Sequence, residues 1–304
     1  MNHGSLTKKP TAAYSWLMAT RPKTLPIAIV PMVVGTFLAQ ATVEHIEWLL
    51  MWSAIVSAVC IQIGTNLIND ALDFKKGTDT SARIGPKRVT QSGLLTFDQV
   101  HSAGLLFFVL AIFAAIPLFL KGGIAILAIV MISTLCGYAY TGGPFPLSYL
   151  GLGELFLIIF YGFVATCTLY FLQTGYVDLR AVLASIQLGL LACVPIAINN
   201  LRDYEGDAKA NKRTLAVRMG MCFATAEITF LILAPFVLNI LWVTFGQMFA
   251  AVCPLLALPL ALFLVQFVTK HNPGPIFNKF LALSVLLDLT FGILLSVGFY
   301  FGHF

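Results

Sequence analysis

Long apolar runs broken by short polar segments recur along the whole chain. A helix needs about 20 mostly apolar residues to cross the hydrocarbon of a bilayer. Runs of this kind fall at roughly 24–42, 48–68, 100–120, 122–140, 153–173, 180–199, 223–245, 248–268 and 279–301. They predict an all-α, multi-pass transmembrane helical bundle of about nine spans. A polar segment over 1–23 precedes a single membrane domain over 24–304. The opening MNHGSLTKKP is polar and the first run lacks a convincing cleavage site, so no cleaved signal peptide is expected.

Composition agrees with that pattern. Of 304 residues, 59% are hydrophobic and only 10% charged, and the mean hydropathy is +0.90. A soluble domain carries about 25% charged residues, so this chain lacks the polar residues to cover itself in water. The lipid bilayer is an expected partner and nucleic acid is not. Charge then gives direction. Sixteen of the eighteen Lys and Arg residues fall at the N-terminus or between the second and third, sixth and seventh, and eighth and ninth runs, all on one side of a nine-span chain. Lys121 and Arg180 fall on the other side. Basic residues are retained on the cytoplasmic side, which places the N-terminus there. The six cysteines sit singly, with no zinc-like spacing, and the five histidines form no ligand pair.

Two polar segments stand out against this background. NLINDALDFKKGTD (66–79) ends the second run and NNLRDYEGD (199–207) ends the sixth. Helical neighbours lie three, four and seven residues apart. Asn66, Asp70 and Asp73 therefore share one stripe, and Asn199, Asp203 and Asp207 share another. A solvated loop is the plain reading of either segment alone. Recurrence of the same spacing, each time followed by cations, argues for more. If the stripes face each other, four or more carboxylates converge and need cations between them. Oxygen donors suit a hard ion, and Mg2+ is held by a few carboxylates together with waters and substrate phosphates. Lys75, Lys76, Arg88, Arg202, Lys209, Lys212 and Arg213 lie beside the acids as candidates for the remaining phosphate oxygens, with Arg88, Arg202 and Lys212 the strongest. The combination predicts a Mg2+–diphosphate site on the cytoplasmic side, suited to a substrate with a lipid tail. A transporter is the alternative from another class, but its binding site belongs near the bilayer midplane, away from these helix ends.

At these residues the sequence resembles the UbiA superfamily of intramembrane aromatic prenyltransferases, whose members carry nine helices and two aspartate-rich motifs. The usual first motif is N-D-x-x-D-x-x-x-D. Here Asn69, Asp70 and Asp73 match it, Gly77 replaces the last acid, and Asp79 follows two residues later. That departure, together with RPKTLP (21–26), YTGGPFPLSYLGLGE (140–154) and NNLRDYEGDAKANKRTLAVRMG (199–220), resembles the 1,4-dihydroxy-2-naphthoate polyprenyltransferase branch. The resemblance implies transfer of a polyprenyl group from polyprenyl diphosphate to 1,4-dihydroxy-2-naphthoate, with loss of diphosphate and CO2 to give demethylmenaquinol. It further implies Asp70, Asp73, Asp203 and Asp207 as catalytic acids, which with Asp79 hold Mg2+. Substrate contacts are expected from Arg21, Asn66, Asn69, Lys76, Arg88, Tyr140, Asn199, Arg202 and Lys212. Another aromatic acceptor, such as 4-hydroxybenzoate or homogentisate, is the alternative within the class. An apolar bundle would shield an allylic cation from water. Asp288 is a lone acid inside the last run and therefore a functional candidate. Glu154 begins the fifth run, where an acid also suits a helix N-terminus; neither residue receives a role from the sequence.

Overall fold

The computed structural model describes residues 11–78 and 84–302, and among them every regular element is helical. A short helix α1 (Ala12–Thr20) leads through a 3-10 turn at Pro22–Thr24 into α2 (Pro26–Gln40). The long α3 (Trp48–Lys75) is followed by α4 (Phe97–Ala114), α5 (Ile116–Ala139), α6 (Gly153–Thr174) and α7 (Leu179–Arg202). Two short helices, α8 (Tyr204–Lys209) and α9 (Leu215–Met219), precede α10 (Met221–Thr244), α11 (Met248–Lys270) and α12 (Phe277–Phe301). Eight of these are long and apolar enough to cross a membrane, and α1 with α2 makes a ninth if the pair, bent by 47°, is counted as one span.

The bend has a local cause. Arg21 caps α1 in the left-handed conformation, at φ 52°, and Pro22 follows it. Proline cannot supply the N–H that would continue the helix. The third and fourth spans depart from expectation. The chain breaks between Ala114 and Ile116, not near residue 121. Pro117 fits the shift, since proline is favoured in the first turn of a helix, where its missing N–H costs nothing. A second break lies inside α5 at Gly123, with φ 69° and ψ −160°. Lys121 consequently ends up in helix, paired with Glu47. Elsewhere the ends move outward by a few residues. Helix α3 runs on to Lys75 and α7 to Arg202, so both acid clusters ride on or next to helix termini.

Glycine decides how closely three pairs of helices approach. A Cβ on Gly64 of α3 would lie 2.7 Å from the Phe108 ring of α4, and one on Gly162 of α6 would lie 2.5 Å from the Ser185 carbonyl of α7. In α12, a Cβ on Gly292 would lie 2.3 Å from Val30 of α2. Helix α6 carries a wide π turn over Ile158–Val164, next to the Gly162 crossing. Helix α7 is the most buried of the spans, and around it α2, α10, α11 and α12 build the main apolar core. Large apolar residues such as Leu120, Ile124, Val237 and Leu256 remain exposed on the outer faces. In water they would be a liability; in a bilayer they are the solvated surface.

Candidate active site

A cavity of about 1000 Å3 opens between the ends of α3 and α7 and extends along α6. Asn66, Asn69, Asp70 and Asp73 line it from α3, and Asn199, Asp203 and Asp207 from the end of α7 and from α8. The two predicted stripes do face one space. Arg21, Arg88, Tyr140 and Lys212 line it as well. Lys76 and Arg202 do not line it, and Asp79 falls outside the described residues.

The first cluster is organised around Asn69. Its Oδ1 accepts hydrogen bonds from Arg21 Nη2 at 2.7 Å and Arg88 Nη2 at 2.8 Å. Its Nδ2 donates to Asp73 Oδ2 at 3.0 Å and to Thr141 Oγ1 at 2.8 Å. Arg88 also stands 3.8 Å from Asp73. Asp70 accepts from the backbone N–H groups of Val89 and Thr90, at 3.3 and 3.1 Å, which fastens the segment after α3 back onto that helix. Asn66 reaches back to α1, donating to the Thr20 carbonyl at 3.1 Å. Lys76 turns from the cavity, donates to the Thr141 carbonyl at 2.6 Å and stacks over the Tyr149 ring at 4.5 Å. Burial holds its ammonium below the ordinary lysine value, opposed by the nearby Asp73.

The second cluster is built differently. Arg202 points into the protein with its side chain fully buried, and it grips Asp203 with two hydrogen bonds, Nε to Oδ1 at 2.8 Å and Nη2 to Oδ2 at 2.6 Å. It also donates to Asn199 at 2.7 Å and to Asn278, at the start of α12, at 2.7 Å. Arg202 thus orients an acid instead of facing the cavity, a correction to its expected place. Lys212 stands 3.6 Å from Asp207, and its backbone N–H closes the turn onto the Asp207 carbonyl at 2.9 Å.

Tyr149 joins the two clusters and was not singled out from the sequence. Its hydroxyl donates to Asp73 Oδ1 at 3.0 Å, while Lys76 and Lys212 both approach its ring, at 4.5 and 5.8 Å from the centroid. Its carbonyl accepts from the Arg213 N–H at 3.0 Å. The signal lay within YTGGPFPLSYLGLGE, but an uncharged residue in a loop announces nothing by itself. Below the acids the wall turns apolar, with Phe156, Leu157, Phe160, Val164 and Ala165 of α6 facing Met32 and Ile61. Tyr161, bonded to Gln62, adds a polar point in that wall. Burial first, and then the Glu154 and Asp73 carboxylates, push the Tyr140 hydroxyl far above its ordinary value, so it stays a neutral donor. Asp288 is buried on α12 but does not line the cavity.

Among the described residues no three acidic, histidine or cysteine side chains converge on one point. The donor set nevertheless fits Mg2+. The four acids facing the cavity offer hard carboxylate oxygens, and this ion usually takes one or two carboxylates and completes its shell with water and substrate phosphates.

Comparison with known proteins agrees with this architecture. The model of the UbiA prenyltransferase family matches residues 28–286. The chain belongs to that family. Its helices make it an integral membrane protein. It is 33% identical to the 1,4-dihydroxy-2-naphthoate octaprenyltransferase of Haemophilus influenzae, over 93% of this chain and 96% of that one. The protein of the same name from Bacillus subtilis is 31% identical, over 94% and 92%. Among solved structures, the apo UbiA homologue from Aeropyrum pernix aligns with a TM-score of 0.68 at 15% identity, over 90% of this chain and 96% of that one. A UbiA homologue from Archaeoglobus fulgidus, bound to DMAPP and Mg2+, aligns at 0.59 and 15%, over 93% and 99%. At such identities these structures speak for the fold of this prenyltransferase.

Proposed function

We propose that this family member transfers a polyprenyl group from polyprenyl diphosphate to 1,4-dihydroxy-2-naphthoate, releasing diphosphate and CO2 and giving demethylmenaquinol. The observation that carries the proposal is one cavity with two characters, an acid- and base-lined mouth and an apolar wall along α6. The names of the relatives that match over nearly the whole chain supply the acceptor.

In this reading Asp70, Asp73, Asp203 and Asp207 would hold Mg2+ at the mouth; that the Archaeoglobus homologue was bound to Mg2+ supports use of a divalent ion. Asp79 is proposed with them from the sequence. Bound there, Mg2+ would neutralise diphosphate oxygens and make diphosphate a better leaving group. The chain's own residues do the rest. Arg21 and Arg88, spread from Asn69, present guanidinium hydrogens to phosphate oxygens. Lys212 adds a point charge from the opposite side. Asn66 and Asn199 face the same space and offer amide groups to the substrate. Arg202 fixes Asp203, and Lys76, through Tyr149, fixes Asp73. The apolar wall receives the prenyl tail, each buried CH2 gaining roughly 0.8 kcal/mol, and keeps water from the allylic carbon as the C–O bond breaks. Tyr140 borders the space where the aromatic ring would meet that carbon.

The bias of Lys and Arg supports an orientation with the cavity mouth facing the cytoplasm of a prokaryotic cell, its membrane domain beginning near residue 24. The deciding experiment incubates the purified protein with Mg2+, labelled polyprenyl diphosphate and a panel of aromatic acids. Label appearing in the decarboxylated naphthoquinol supports the reading. Label in 4-hydroxybenzoate or homogentisate instead overturns the acceptor, and label in none overturns the reaction.

A further inference from the structure

The two substrates of the proposed reaction differ in one chemical respect. A polyprenyl diphosphate offers oxygens and hydrocarbon, and at neutral pH it has almost nothing to donate. A dihydroxylated aromatic ring carries two O–H donors. A buried acceptor facing the cavity is therefore matched to the ring and mismatched to the diphosphate.

Glu154 is such an acceptor. It stands in the first turn of α6, is only 5% exposed, and lines the cavity. Its Oε1 accepts from Asn200 Nδ2 at 2.7 Å, which fixes the carboxyl plane. Cys193 Sγ binds its backbone carbonyl at 3.1 Å, holding the turn to α7. Its Oε2 is buried and has no hydrogen-bond partner among the described residues. An unsatisfied buried carboxylate oxygen is costly, and proteins tolerate it where a ligand completes the shell. The neighbour is also suggestive. A Cβ on Gly153 would lie 3.3 Å from Tyr140 Oη, so the phenol rests against the turn that carries Glu154. Tyr140 and Glu154 together border the same part of the cavity, one a neutral donor and the other an open acceptor.

We propose that Glu154 positions the aromatic acceptor, its Oε2 taking a hydrogen bond from a ring hydroxyl while Asn200 holds Oε1. This inference rests on the aromatic prenyl-transfer reading. No proton needs to leave the ring: a carboxylate drawing on the O–H raises electron density at the ring carbons ortho and para to that oxygen, the carbons that attack an allylic cation. Glu154 would then act on orientation and on nucleophilicity without touching the diphosphate.

The test uses the full-length protein and whichever aromatic acid the wild-type enzyme prenylates, so a wrong acceptor identity and a wrong role for Glu154 give different results. Glu154→Gln keeps the oxygen for Asn200 but turns an N–H2 toward the cavity. It is expected to raise KM for the acceptor about 10- to 100-fold, the range for losing a hydrogen bond to a charged group, with KM for the prenyl diphosphate within twofold of wild type. Glu154→Asp, which retains a carboxylate, should recover part of that loss. Analogues lacking one or the other ring hydroxyl serve as inhibitors: the one missing the contacted hydroxyl should bind wild type and Glu154→Gln equally, the other should discriminate. Overturning results are an unchanged acceptor KM in the folded Gln variant, equal losses for both substrates, or a uniform loss of affinity for both analogues. Should the Gln variant fail to fold, the Asp variant and the analogue pair on wild type decide alone: neither analogue binding more weakly than the dihydroxylated parent would overturn the proposal.

Discussion

Replacing Asn69 by alanine tests the idea that this amide, not an acid, organises the first cluster. Asn69 is largely buried and makes four side-chain hydrogen bonds, three of them to the charged groups of Arg21, Arg88 and Asp73. Hydrogen bonds to charged groups are each worth roughly 1.5–3 kcal/mol net. The contributions do not add, because Arg88 keeps Asp73 at 3.8 Å and cavity water can reach the freed guanidinium hydrogens. A combined loss of about 2–4 kcal/mol is the expectation. If it falls on the transition state, kcat/KM drops about 30- to 1000-fold, at about 1.4 kcal/mol per decade. The assay is transfer of labelled prenyl group at subsaturating donor, run beside a thermal melt in the same detergent. Asn69→Asp is the informative partner. It still accepts from both arginines but loses its donors and sets a second carboxylate four residues before Asp73, so it should not rescue activity. Alanine and aspartate variants that retain activity within threefold, with unchanged melts, would refute the reasoning.

Three further expectations follow from the same geometry. Asp70→Ala, Asp73→Ala, Asp203→Ala and Asp207→Ala should each lower turnover by two or more orders of magnitude, about the cost of losing a group that stabilises developing charge, whereas Asp98→Ala, exposed in the first turn of α4, should be mild; equal losses at all five would point to folding. Chelation by EDTA should abolish transfer and added Mg2+ restore it, and full activity after exhaustive chelation would remove the metal from the account. In a background lacking the native cysteines, a cysteine at the exposed Asn272 should react with an impermeant thiol reagent only in inside-out vesicles, and one at the exposed Glu44 only in right-side-out ones; the reverse pattern would invert the orientation.

The sequence carried the helical bundle because apolar length has one outcome in a bilayer, and it carried the acid stripes because helical spacing fixes which residues share a face. It could not place the turn at Ala115, since Pro117 is flanked by apolar residues and Lys121, the one Lys, Arg, Asp or Glu between 100 and 140, marks a break farther along. Arg202 shows a second limit. Spacing put it near Asn199, but only packing against α12 decides that it turns inward to Asp203 and Asn278. Tyr149 and Asn200 were illegible for a related reason: their roles depend on which distant loop or helix comes beside them, and an uncharged polar residue bears no mark of its partner. Lys76 misled in the opposite sense. Acids lie three residues to either side of it in sequence, at Asp73 and Asp79, yet a backbone carbonyl and a ring hold it instead.

The seam at Tyr149 has a consequence for how the protein comes into being. One acid cluster lies before residue 78 and the other after residue 199, and the tyrosine that touches both groups of charges lies between them. A nascent chain that has released only its first six helices carries half of the mouth and no opposing wall from α7. It can offer carboxylates to an ion but has no closed chamber in which to keep a reactive cation dry. Cutting the chain in the turn around Gly175, between α6 and α7, would likewise leave one acid cluster on each fragment. Competence therefore arrives late in synthesis: α7 docks against α6 at the Gly162–Ser185 contact, but the second half of the mouth is complete only when α8 follows and Asn278 of α12 holds Arg202 beside Asp203.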